Sequence, residues 1–206
     1  MVTPHEFHAV AALDGKLYAV GGYNDDSGVL SSVERYDPAV GAWEAVAPMA
    51  ATRYGHAVTV LDGKLYAVGG YNRELLSSVE RYDPAVGAWE EVPPMAAARM
   101  DHAVAALDGK LYAVGGRNYD GGILSSVERY DPAVGAWEEV AAMAEERDGL
   151  TVTVLDGKLY AVGGDGGDNR LSSVERYDPS VGAWEAVAPM AAARVKAFAV
   201  LFCCLS

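Results

Sequence analysis

Histidine, arginine and cysteine are the residues of this chain whose types and spacing could do chemistry. His8, His56 and His102 hold one place in three consecutive segments, and Leu150 stands there in the fourth. Three imidazoles around a common axis are a conceivable metal set. A histidine at a strand entrance is the plainer reading, so no metal site and no cofactor are expected. Arg53, Arg99, Arg147 and Arg194 recur once per segment, in a chain of formal charge -13. A ring of guanidinium forks would suit a carboxylate-bearing peptide; the competing use is structural, bonding backbone carbonyls between repeats. Every abundant Ser, Asp and Glu recurs with the repeat, and catalysis rarely needs four copies of a residue. A non-enzymatic chain is expected.

Cys203 and Cys204 are the only cysteines. Neighbours in sequence rarely pair, so no disulfide framework is expected, which suits a reducing, cytoplasmic setting. The end Cys203–Ser206 matches a prenylation pattern, but no polybasic run precedes it and one lipid chain anchors weakly. The plainer reading is a ragged end or a strand through Phe198–Cys204. No apolar core flanked by basic residues opens the chain, and the apolar tail Ala197–Leu205 is too short to span a bilayer. The acidic balance argues against nucleic acid or an anionic membrane as partner, because both need basic surface.

The elements that must position these residues come from a repeat. The ten residues Leu13–Gly22 return at Leu61–Gly70, Leu107–Gly116 and Leu155–Gly164, a period of 46 to 48. Asp-Gly between apolar runs signals a hairpin with a type I′ turn, which needs positive φ at both central positions. In the second unit the alternation predicts strands at His56–Leu61, Lys64–Gly69, Ser78–Asp83 and Ala88–Val92. The last two are joined through Tyr82–Trp89, where Asp-Pro marks a turn and Tyr and Trp supply large bodies to pack between sheets. Four short antiparallel sheets, none able to bury its own faces, stack radially as an all-β propeller of four blades. The repeats run at about 8–53, 54–99, 100–147 and 148–194, in one domain over 1–206, with 195–206 as a tail that aligns to a closing first strand.

Gly-Gly, then Ser-Ser-Val-Glu-Arg-Tyr-Asp-Pro, then Trp, Pro-Met and Arg, resembles the kelch repeat, and most of all the kelch domains of BTB-kelch substrate adaptors. The resemblance implies target-peptide binding on one propeller face, in some members through arginines that hold acidic segments. Such domains usually carry six blades where this chain has four. A closed four-bladed ring is expected, with an open part of a larger ring as the alternative. Copper oxidases and sugar mutarotases also use kelch-like propellers, but no ligand set or asymmetric acid–base cluster of theirs is matched here.

All the length variation lies between Gly-Gly and Ser-Ser, in loops Tyr23–Leu30, Tyr71–Leu76, Arg117–Leu124 and Asp165–Leu171. The pair after the repeated Arg varies too. In an antiparallel meander both connections emerge on one face, opposite the invariant turns, as binding surfaces are usually built. The expected contacts for a protein or peptide partner, acidic in the reading that uses the arginines, fall into two sets. From the loops come Tyr23, Asn24, Asp25, Tyr71, Asn72, Arg73, Arg117, Asn118, Tyr119, Asn169 and Arg170. From the linkers come Arg53, Tyr54, Arg99, Met100, Arg147, Asp148 and Arg194. Arg73, Arg117 and Arg170, which break the repeat, are the better carriers of specificity. A sugar isomerase using the funnel, or a consensus-like scaffold without an evolved ligand, are the alternatives.

Overall fold

The computed structural model describes residues 6–119 and 122–195. Four antiparallel four-stranded sheets follow one another, each with its strands in sequence order. First strands are Ala9–Leu13, Ala57–Leu61, Ala103–Leu107 and Thr151–Leu155, and second strands start at Lys16, Lys64, Lys110 and Lys158. Third strands end at Asp37, Asp83, Asp131 and Asp178; fourth strands are Ala42–Val46, Ala88–Val92, Ala136–Val140 and Ala183–Val187. In the second sheet the observed strands Ala57–Leu61, Lys64–Val68, Val79–Asp83 and Ala88–Val92 lie within one residue of the expected ones. The hairpin turn has the required backbone, with φ of 49° at Asp62 and 69° at Gly63.

The eight-residue loops are not irregular. The first continues its sheet past a bulge between Val20 and Gly22, pairing Tyr23 with Val29 and Asn24 with Gly28. The third forms a small hairpin, Arg117–Asn118 against Gly122–Ile123. The shorter loops close a single rung, Tyr71 with Leu75 and Asp165 with Arg170, and the longer ones add another.

The first strands lie side by side from sheet to sheet, and three apolar seams fill the space between successive blades. Tyr82 of the second blade packs on Tyr18 of the first with ring centroids 6.0 Å apart. Trp89, Trp137 and Trp184 each donate their indole N–H to a carbonyl of the preceding blade, at Ala47, Pro93 and Ala141, all at 2.9 Å. Each half-buried ring thus packs its apolar body on the neighbouring blade and satisfies its one polar atom.

The expected closed ring is not formed by the described residues, which make an arc. No apolar cluster among them joins the fourth sheet to the first. Side-chain exposure at equivalent positions marks the open ends. Leu13, Leu61 and Leu107 are 5–6% exposed, but their fourth-blade counterpart Leu155 is 56% exposed. Leu65, Leu111 and Leu159 are fully buried, whereas Leu17 of the first blade is 41% exposed. The closing strand expected in the tail lies outside the described residues, apart from Arg194 and Val195, as does the pattern at Cys203–Ser206.

Candidate partner-binding face

Both variable connections do emerge together, and backbone hydrogen bonds tie them to each other in every blade. The residue after Gly-Gly forms an antiparallel bridge with the residue after the repeated linker position: Tyr23 with Glu6, Tyr71 with Tyr54, Arg117 with Met100, Asp165 with Asp148. Tyr71 donates to the Tyr54 carbonyl at 2.9 Å, and Tyr54 returns a bond to Tyr71 at 3.1 Å. One step further along each linker, the blades are linked in series. Gly55 N–H reaches Phe7 O at 3.4 Å, Asp101 N–H reaches Gly55 O at 2.8 Å, and Gly149 N–H reaches Asp101 O at 2.9 Å. All four residues of that series have φ between 52° and 61°, which glycine adopts freely; Asp tolerates it and Phe does so at a cost. An invariant backbone lattice therefore displays side chains that differ from blade to blade.

Those side chains divide the face. Over blades one to three, Phe7, Tyr23, Tyr54, Tyr71 and Tyr119 form a connected row of rings, with centroid separations of 5.3–6.4 Å. A hydrogen bond to Tyr71 raises the Tyr119 phenol above its ordinary pKa. At the third blade Arg117, half exposed, reaches Asp101 at 3.0 Å and Asp148 at 3.8 Å. Acidic groups continue into the fourth blade with Asp165 and the exposed Asp168.

The expected loop residues occupy this surface. Asn24 caps its own turn, accepting the N–H groups of Asp26 and Ser27 at 2.8 and 3.2 Å, and Asp25 stands exposed beside it. Arg73, Asn169 and Arg170 are exposed at loop tips, with Arg73 at φ 101°; Asn72 and Asn118 are half-buried. Glu6 and Phe7 were missed among the candidate contacts, although counting back from His8, in register with His56, aligns them with Tyr54 and Gly55.

Four of the expected contacts do not face a partner. Arg53, Arg99 and Arg147 are fully buried, and Met100 is 7% exposed. Each of these arginines is a staple between blades. The main chain of Arg53 binds the first blade, donating to Leu30 O at 2.9 Å and accepting from Gly22 N–H at 2.8 Å. Its guanidinium binds the second blade: Gly69 O at 2.8 Å, Ser78 O at 2.9 Å and the buried Glu80 carboxylate at 2.9 Å. Arg99 with Glu128 and Arg147 with Glu175 repeat the arrangement. Glycine is required where the staple passes, since a Cβ on Gly69 would lie 2.6 Å from Arg99 O. Burial pulls the Arg53 and Arg99 pKa values down, and their glutamates offset part of this. Arg194 keeps the main-chain bonds to Gly164 and Leu171, but its side chain is exposed. The ring that would have read an acidic ligand is thus spent on the fold at three of its four positions.

His56 and His102 are also buried, 7% and 6% exposed, at the entrances of their strands. Loss of hydration, with Arg53 second, pushes His56 down to about 3; burial and then Arg99 push His102 well below its ordinary value. On the opposite face, a cleft between blades three and four is lined by Lys110, Tyr112, Arg129, Asp156, Lys158 and Asp178. Each of these has a counterpart in the other repeats, so the cleft is repeat architecture. Among the described residues no helix is long and apolar enough to cross a membrane.

Comparison with known proteins agrees with this architecture. The kelch motif family matches residues 5–50, 52–96, 98–144 and 146–191. An F-box/kelch-repeat protein of Arabidopsis thaliana is 42% identical over 55 residues, which is 27% of this chain and 13% of that protein. Human kelch repeat and BTB domain-containing protein 13 is 54% identical over 41 residues, 20% of this chain and 9% of that one. Mouse kelch-like protein 35 is 52% identical over 42 residues, covering 20% and 7%. The matched stretches thus span only about a tenth of these relatives' length. The structure of YjhT superposes with a TM-score of 0.79 at 16% identity, covering 93% of this chain and 67% of that one. With four family matches covering most of its length and a propeller of four antiparallel blades, the chain belongs to the kelch-repeat family.

Proposed function

We propose that this chain is a non-enzymatic protein-interaction module that holds a peptide or loop of a partner on the face built from the loops after Gly-Gly and the linker residues. The observation that carries this reading is the set of bridges that fuse both variable segments into one surface over an invariant lattice. Rigid backbone beneath varied tyrosine, arginine and asparagine side chains keeps the ordering cost of binding low. The names of the relatives, which pair kelch repeats with F-box or BTB domains, are in keeping with an interaction role. An acidic segment, where one binds, would have to be held by Arg73, Arg117 and Arg170 rather than by the buried staples.

The test compares proteins recovered on the immobilised chain, on an Arg73→Ala/Arg117→Ala/Arg170→Ala/Tyr71→Ala variant, and on a Val86→Ser/Val134→Ser variant of the opposite turns. Recovery by the unmodified and turn variants but not by the first supports the reading. A partner lost only with the turn variant, or held equally by all three, overturns it.

A further inference from the structure

The row of rings on the variable face carries more information than its position. Phe7 and Tyr119 at its ends are 56% and 73% exposed, far more than core aromatics such as Tyr66 at 2%. Tyr54 with Tyr71, and Tyr71 with Tyr119, meet edge-on at 63° and 83° rather than stacked, and Tyr54 and Tyr71 remain half-open to solvent, so their ring faces are only partly covered. Such faces carry partial negative charge and attract cations, guanidinium above all. Acidic groups outnumber basic ones around the row, with Arg73, at the tip of the Tyr71 loop beside Glu74, and Arg170 on the fourth blade as the exposed exceptions. Asp25 and Asp26 lie exposed on the first blade, and the half-buried Asp165 and exposed Asp168 lie on the fourth. Arg117, which opens the loop bearing Tyr119, is held by Asp101 at 3.0 Å and lies 3.8 Å from Asp148, so two carboxylates offset its charge. Three guanidinium groups that would have reversed this balance are buried against glutamates.

We propose that the aromatic row receives a basic, arginine-bearing peptide segment, its guanidinium groups stacking on Tyr54, Tyr71 and Tyr119 while the flanking carboxylates offset their charge. This rests on the reading of the variable face as the binding face and adds the chemistry of its occupant. Flexible lysine ammonium groups would satisfy the field but not the stacking, so the site distinguishes the two cations.

The intact chain is titrated against three fluorescent peptides of one length, alternating glycine with arginine, lysine or glutamate, and binding is read by anisotropy at physiological ionic strength. The arginine peptide is expected to bind more tightly than the lysine peptide of equal charge. Tyr71→Leu/Tyr119→Leu should weaken it by roughly three- to thirtyfold, and Tyr71→Phe/Tyr119→Phe should leave it within about twofold. Because Tyr119 is largely exposed, Tyr119→Leu alone serves as a variant whose folding is not at stake, with thermal unfolding as the check. Equal binding of arginine and lysine peptides, untouched by the leucine changes, would mean bulk charge attraction and overturn the proposal. Tighter binding of the glutamate peptide, lost with Arg73→Ala/Arg170→Ala, overturns it while leaving the face reading intact. Binding of no peptide overturns it as well, and the recovery experiment then decides separately whether the face binds at all.

Discussion

His56 and His102 enter the fold as neutral groups. Neither ring nitrogen of His102 finds a hydrogen-bond partner among the described residues, and a contact with the Val20 backbone offsets only part of the burial of His56. An imidazole held at about 3 in the fold, against 6.5 unfolded, takes up its proton only on unfolding as the pH drops between those values. The unfolded chain then binds more protons, so stability rises with pH, is fully present above 6.5 and is lost as pH falls toward 3. Each histidine contributes a slope of at most about 1.4 kcal/mol per pH unit. Leucine already occupies this position at Leu150, so His56→Leu/His102→Leu should fold. Urea midpoints are expected to drop between about pH 7 and pH 5 for the unmodified chain and to stay nearly level for the variant. Equal slopes would show that other groups dominate. The recurrence of these histidines was legible in the sequence. Their burial was not, because exposure at a strand entrance depends on the neighbouring blade.

At the scale of elements, what matters is how one sheet is attached to the next. Asp-Gly hairpins and Tyr-Asp-Pro turns are local, and every strand they bound was readable, since turn geometry and side-chain alternation act within a few residues. The staple is not local. Arg53 reaches Glu80, 27 residues away, across a blade boundary, and only packing decides whether such an arginine faces solvent or glutamate. The added rung between Asn118 and Gly122 is local but was still not readable, because loop length alone does not say whether a loop pairs with itself. Arg53→Ala would leave the Glu80 carboxylate buried without its counter-charge and is expected to cost about 3–5 kcal/mol. Arg194→Ala, at the same repeat position but exposed, should stay within about 0.5 kcal/mol. Denaturant unfolding checks both, and equal effects would contradict the staple. The pair Arg53→Met/Glu80→Met should recover only part of the loss, because it removes both buried charges but strips partners from Gly69 O, Ser78 O and the Ala50 and Ala51 N–H groups.

At the scale of the whole molecule, the described residues make an arc with two apolar ends. Leu17 and Leu155 present to solvent the surfaces that the three internal seams bury, and unpaired sheet faces of this kind associate. The net charge of -13 opposes association of like chains, and salt screens that repulsion. Sedimentation velocity should therefore show concentration-dependent association that grows with added salt and is reduced by Leu17→Lys/Leu155→Lys. A chain that stays monomeric at high salt would show that these ends are not adhesive. By itself the sequence determined the four blades, their turns, their strand order and which connections vary, since each of these follows from residues close together in the chain. Only the tertiary structure decided that the blades curve as an open arc, that three arginines serve the seams, and that the tyrosines of three blades meet in one row. Those outcomes depend on which surfaces of distant segments come into contact, and near-identical repeats carry no local signal to distinguish a buried copy from an exposed one.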